Sequence, residues 1–155
     1  MDTNAKLDLM ELKNSAGYLL RRADKVLREQ TLPALAELSL SSLEGTTLYL
    51  VRENPDCTLR RLAEAVDTAP PSMHRIVTSL EEKGLLTRRR DEEDARFVYI
   101  HLTEEGRART EKAIAAVAAV ERTALQSLSG SEVVRFRKTL VKLLEISATA
   151  MSDKD

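Results

Sequence analysis

Ser72, His74, Arg75 and Thr78 place two hydroxyls, an imidazole and a guanidinium within two helical turns of one another. Such groups donate to and accept from base edges in a DNA major groove, which is wide enough to admit a helix. They share their segment with Met73, Ile76, Val77 and Leu80, whose three- and four-residue spacing lays an apolar stripe against a core. Ser72, His74, Arg75, Thr78 and Ser79 fall on the rest of the cylinder, a short and uncrowded polar face. Pro70 and Pro71 are confined to a first turn, where their missing N–H groups would have had no intrahelical partner, so a helix starts here. Gly84 is its stop. Pro71, Ser72, His74, Arg75 and Thr78 are therefore the candidate DNA-facing set. The same face also suits the solvated side of an ordinary amphipathic helix, and the flanking segments have to decide between the two.

Other reactive residues are few. His74 and His101 are the only histidines, and neither has a Cys or His neighbour at metal-ligand spacing, so no metal is expected and His101 is expected to pack on a strand. Cys57 is the single cysteine. It precedes a helix cap at Thr58, where an amide could lower its pKa; the plainer expectation is an unremarkable, partly exposed thiol. One cysteine excludes an internal disulfide and makes a reducing cytoplasm the simplest location. The 5 glycines are too dispersed for a phosphate-cradling loop, and no serine elbow is present, so neither enzyme activity nor a cofactor is expected.

The 155 residues suit one domain with helical extensions. Aromatic content of 3%, with no Trp, leaves a core of Leu, Val, Ile and Ala. A net charge of −1 gives no global attraction to nucleic acid, so binding to DNA must come from local charge, doubled if two chains pair. No apolar run reaches the roughly 18 residues of a membrane span, and the N-terminus lacks a signal-peptide hydrophobic region, so no membrane association is expected.

The elements that position this chemistry follow from periodicity. Over 5–29, Leu9, Leu12, Ala16, Leu19, Ala23 and Val26 step by three and four, an a/d seam several heptads long. A helix with so broad a stripe needs a partner surface, either the C-terminal helices or a second chain. Pro33 falls in the connector that follows. Ser41-Ser42-Leu43-Glu44 matches a capping box and opens a helix to about Glu53, ended by Asn54-Pro55. Gly45 near its start marks close packing or space for a ligand. Thr58 caps a short helix over Leu59–Val66 with Leu59, Leu62, Ala63 and Val66 inward; Asp67-Thr68-Ala69 is a turn, and the helix beginning at Pro70 completes a helix-turn-helix. Arg60, near the start of the first helix, is a candidate phosphate contact, with a solvated face as its default. Leu85–Arg90 reads as a strand, Asp91-Glu92-Glu93-Asp94 as a polar tip, and Arg96–Leu102 as a period-two strand with Val98, Ile100 and Leu102 on one side. A hairpin in that place is a wing. Thr103 caps a helix running to about Leu128, and Ser129-Gly130-Ser131-Glu132 caps a last one containing Leu140 and Leu144. A frayed tail is expected at the end.

This order resembles the MarR family of dimeric winged-helix transcription regulators. The similarity is greatest over 58–106, in Thr58-Leu59-Arg60-Arg61-Leu62-Ala63, Ser72-Met73-His74-Arg75-Ile76-Val77, Leu80-Glu81-Glu82-Lys83-Gly84-Leu85-Leu86 and His101-Leu102-Thr103-Glu104-Glu105-Gly106, with the family's Asp-x-Arg signature at Asp94-Ala95-Arg96. The resemblance implies a mainly α fold with a small β-hairpin wing: an N-terminal dimerisation helix and connector over 1–38, a winged helix-turn-helix over 39–103, C-terminal dimerisation helices over 104–151 and a tail over 152–155. It implies a homodimer that sets two such helices in successive major grooves ~34 Å apart. Leu9, Leu12, Ala16, Leu19, Leu140 and Leu144 are the candidate dimer contacts. Ser72, His74 and Arg75 fall where the family reads bases. Arg96 matches the wing arginine of the minor groove, and Asp94 the partner that orients it. Ala95 stands at a position often basic in the family, and the tip puts four carboxylates near phosphate, to be offset by the basic strand Arg88-Arg89-Arg90, of which Arg88 and Arg90 are counted with the wing contacts, or avoided if the tip points away from the duplex. Peroxide-sensing members place a reactive cysteine in the first helix, where this chain has none.

The resemblance thus implies a sequence-specific regulator of transcription, a repressor on a pseudo-palindromic double-stranded operator, relieved by a small-molecule effector that no residue here identifies. The competing expectation is a winged-helix module that binds protein through the same helix face, motivated by the near-neutral charge and acidic tip.

Overall fold

The computed structural model describes residues 11–91 and 97–152. The chain divides into two units, Met1–Val120 and Glu121–Asp155.

In the first unit the opening helix differs from its expectation. A single 3-10 turn, Leu12–Asn14, comes first, and Ser15 turns extended and accepts a hydrogen bond from Tyr18 N–H at 3.4 Å. That cap starts α1, Ala16–Ala36. The expected uninterrupted seam is therefore broken at Ser15, where a side-chain oxygen satisfies a first-turn amide that a continuing helix would have paired internally. Pro33 lies inside α1 and not in a connector. Its missing N–H strips the Glu29 carbonyl of a partner, a loss the exposed last turns can meet with water. The part of the expected helix before Glu11, Leu9 included, lies outside the described residues.

Helix α2, Ser42–Glu53, begins at the expected capping box: Glu44 N–H donates to Ser41 Oγ at 3.3 Å and Ser41 N–H to Glu44 Oε2 at 2.7 Å. Gly45 answers to close packing, since a Cβ there would rest 3.5 Å from a Leu35 methyl. Strand β1, Cys57–Thr58, then precedes α3, Leu59–Ala65, and α4, Pro70–Glu82. Strands β2, Leu86–Arg90, and β3, Val98–Leu102, form the hairpin. The sheet has three strands, ordered β1-β3-β2, antiparallel throughout, with Leu86 opposite Leu102, Arg90 opposite Val98 and Cys57 opposite Ile100. The extra strand escaped the sequence because two residues show no period.

Helix α5 spans Glu104–Ala124, ending before the expected Leu128 in tight turns in which Gln126 N–H donates to the Thr123 carbonyl and Leu128 N–H to the Leu125 carbonyl. Its first turns belong to the winged unit, with Gly106, Thr110 and Ala113 buried. The core there joins Leu48 and Val51 of α2, Leu62 and Ala63 of α3, Met73, Val77 and Leu80 of α4, and Leu85, Leu86, Ile100 and Leu102 of the sheet. No aromatic ring is among its buried members, as composition required. Each large side chain buried in α4 contributes roughly 1.5–3 kcal/mol, enough to fix how the helix is rotated.

In the second unit, Ser129 and Glu132 close the expected capping box, Ser129 N–H to Glu132 Oε2 at 2.8 Å and Glu132 N–H to Ser129 Oγ at 3.4 Å. Helix α6 follows over Gly130–Ser152, and Arg137 pairs with Glu121 at 2.9 Å. Its Val134, Val141 and Leu144 are exposed. Of the expected tail, Ser152 ends α6 and the remainder lies outside the described residues.

Candidate nucleic-acid interface

The α3–α4 junction is set by backbone. Thr58 Oγ1 caps α3 by accepting from Arg61 N–H at 3.4 Å. Asp67 takes a left-handed conformation, φ 48°, and Thr68 N–H returns to the Ala63 carbonyl at 3.0 Å. Ala63, 1% exposed, is small enough to permit the close approach of the two helices. Helix α4 has no side-chain cap at Ala69. It needs none, because Pro70 and Pro71 remove two of the amides that would want one, while Ser72 and Met73 N–H both donate to the Ala69 carbonyl, at 2.9 and 3.1 Å. With those amides gone, side chains are what this helix end offers to a partner.

Those side chains are arranged as a line. Pro71, His74 and Arg75 are exposed, and Ser72 and Thr78 half-buried. Arg75 Nη2 donates to Ser72 Oγ at 3.2 Å. One turn on, Arg88 reaches over from β2, donating from Nη2 to Thr78 Oγ1 at 3.3 Å and pairing with Glu81 at 3.1 Å. Arg88 is thus held inside the unit; Arg90 is exposed. Arg60 is exposed and paired with Glu64 at 2.8 Å. The wing signature residues Asp94 and Arg96 lie outside the described residues.

Ser79 does not belong to the outward face. Its hydroxyl donates to Glu44 Oε1 at 2.9 Å, and Lys83 Nζ binds the same oxygen at 2.6 Å and the Ser39 carbonyl at 2.9 Å. Burial pushes the Glu44 carboxyl upward, but Lys83, the Ser41 amide and the Ser79 and Ser41 hydroxyls outweigh it and hold the group below its ordinary range. The capping-box glutamate therefore also ties α2 to the far end of α4. Sequence spacing could announce the cap but not this second duty, because its partners lie far along the chain.

Cys57 is buried, 2% exposed, and not the partly exposed thiol expected. Pairing of β1 with Ile100 draws it into the core, and burial raises its pKa. His101 is half-buried on the sheet, 3.8 Å from Asp56, and Phe97 and Tyr99 stack on the same side with ring centroids 6.5 Å apart. Among the described residues no three His, Cys, Asp or Glu side chains gather to hold a metal ion, and no helix is long and apolar enough to cross a membrane. Of the candidate dimer contacts, Leu12, Ala16, Leu19 and Leu144 are exposed and Leu140 half-buried, each within its own unit.

The sequence model of the MarR family matches residues 40–98, the stretch from the Ser41 cap to the first residue of β3. The organic hydroperoxide resistance transcriptional regulator of Bacillus subtilis (strain 168) is 30% identical over 140 residues, spanning 90% of this chain and 94% of that protein. CouR from Rhodococcus jostii RHA1, in a crystal structure bound to p-coumaroyl-CoA, superposes with a TM-score of 0.78 at 28% identity over 85% of this chain and 93% of that one. The Mycobacterium tuberculosis MarR family protein Rv2887, in complex with DNA, gives 0.71 at 29% identity over 83% and 97%. With the helix-turn-helix inside the matching segment, and a relative at 30% identity spanning nearly the whole chain, this protein belongs to the MarR family.

Proposed function

We propose that this protein is a sequence-specific regulator of transcription, a repressor that binds double-stranded DNA as a homodimer on an operator of two inverted half-sites and leaves it when a small molecule binds. Helix α4 carries this reading: its apolar side is sunk in the core at Met73, Val77 and Leu80, while Ser72, His74 and Arg75 stand on its other side beside a wing. A relative of the same fold in complex with DNA supports it, and one bound to p-coumaroyl-CoA supports the effector, whose identity no residue here specifies. Unpaired apolar side chains on α1 (Leu19, Val26, Leu32) and on α6 (Val134, Val141, Leu144) support a second copy as partner, through the segments expected at 1–38 and 104–151. Arg75 is assigned to base edges, Arg96, oriented by Asp94, to the minor groove, and Arg90 and Arg60 to phosphate. In this role the chain works in the cytoplasm, needs no cofactor and carries out no reaction.

The test is a titration of a random-sequence duplex pool across salt, with the bound fraction sequenced. Enrichment of a motif and a linear fall of log affinity with log salt are expected. A flat salt slope with no sequence preference would overturn the regulator and favour the protein-binding module.

A further inference from the structure

The hydroxyl of Thr78 is held unlike those of four other helical threonines. Thr46, Thr47, Thr110 and Thr139 each donate to the carbonyl four residues back, at 3.1, 2.8, 2.7 and 2.9 Å, the usual back-bond that uses up the hydroxyl proton. Thr78 instead accepts from Arg88 Nη2, and among the described residues its own proton meets no acceptor. The arginine is fixed there. The same nitrogen pairs with Glu81 at 3.1 Å, the side chain is 31% exposed, and its Nε is buried with no partner among the described residues. Thr78 lies one turn beyond Arg75 and His74, on the side of α4 that also carries Ser72.

From this geometry we infer that Thr78 is a specificity-determining residue that meets DNA as a hydrogen-bond donor, with Arg88 as the positioning residue that makes it one. This rests on α4 being the helix that enters the major groove. A hydroxyl that already accepts from a guanidinium has its O–H polarised and strengthened as a donor. An incoming acceptor gains from that; an incoming donor has to share the oxygen with Arg88. In the major groove, guanine N7 and O6, adenine N7 and thymine O4 are acceptors, whereas cytosine presents only its amino donor. One position in each half-site is therefore read as any base but cytosine, a coarse choice made by hydroxyl polarity and not by shape.

The experiment compares motifs enriched from a random duplex pool by the parent protein, Thr78→Val, Thr78→Ser and Arg88→Met, with melting temperatures recorded to confirm folding. The parent and Thr78→Ser are expected to discriminate against cytosine at one position per half-site by about tenfold. Thr78→Val, which keeps the shape and loses the proton, should lose that discrimination while the rest of the motif survives. Arg88→Met should relax the same position, because the freed hydroxyl can turn to accept from cytosine. An unchanged Thr78→Val motif overturns the inference, as does uniform weakening on every duplex, which would place the hydroxyl on phosphate. An unchanged Arg88→Met motif overturns the positioning role. If the parent enriches nothing, the regulator reading itself has failed, an outcome distinct from a parent motif that Thr78→Val leaves intact.

Discussion

Arg75 projects from a helix whose opposite side is buried in the core, and its Nη2 donates to Ser72 Oγ at 3.2 Å. A guanidinium presented in one direction loses less freedom on binding and can use its fork on a guanine edge. Arg75→Ala is expected to cost about 1–3 kcal/mol of duplex binding and to broaden the enriched motif at one base, whereas loss of a phosphate contact weakens all duplexes alike; competition titrations on variant duplexes separate the two. Cys57 makes the contrary case. It is buried, and burial raises its pKa, so at neutral pH it stays a protonated thiol without the thiolate that attacks peroxides. Although a relative carries hydroperoxide resistance in its name, treatment of this protein with an organic hydroperoxide is expected to leave DNA binding and Cys57 unchanged until the chain is unfolded. Loss of binding that a thiol reductant restores would contradict this. The exposure of Arg75 could be read from helical spacing; the burial of Cys57 could not, because it depends on a strand of two residues that exists only once β3 lies beside it.

At the scale of elements, α4 is tied to α2. At its C-terminal end Glu44 gathers Ser79 and Lys83, and the sign of its pKa displacement dictates the pH response. A carboxyl held below its ordinary value of 4.5 stabilises the fold fully above that value, and the contribution drains away as pH falls through the lower, folded value. Glu44→Gln should therefore lower stability at neutral pH by about 1–3 kcal/mol and flatten the acid side of the stability curve, read by urea melts from pH 7 downward. Beyond Gly84, whose φ of 71° turns the chain, Thr103 Oγ1 donates to the Gly84 carbonyl at 2.7 Å and accepts from Gly106 N–H at 2.9 Å. A Cβ on Gly106 would run into the Leu85 carbonyl oxygen, so Gly106→Ala should cost about 1–3 kcal/mol or more. Gly45→Ala, meeting only Leu35 methyls at 3.5 and 3.7 Å, should be neutral or stabilise by about 0.5–1 kcal/mol. Thermal melts of the pair check both. Caps and apolar stripes made these elements legible in order, from Ser41 to Ser129. Contacts across long separations, such as Ser79 on Glu44 or Arg88 on Thr78, have no local period and became visible only when the helices were packed.

For the whole molecule, the net charge of −1 means that affinity for DNA cannot come from a general positive field. Under the proposed function it comes from a few placed arginines used twice, and the exposed Leu19, Val26 and Leu32 of α1 and Val134, Val141 and Leu144 of α6 are the surfaces proposed to hold the second copy. Two copies of α4 held in one dimer would fix a distance between half-sites on the duplex. The broad stripe of the first helix announced a missing partner surface without choosing between a bundle within the chain and a second chain. The central claim is tested most directly by selecting duplexes from a random pool and counting protein chains per recovered duplex by sedimentation. An inverted repeat with half-site centres ~10 base pairs apart, bound by two chains, is the expected result; a single unrepeated motif bound by one chain would contradict it.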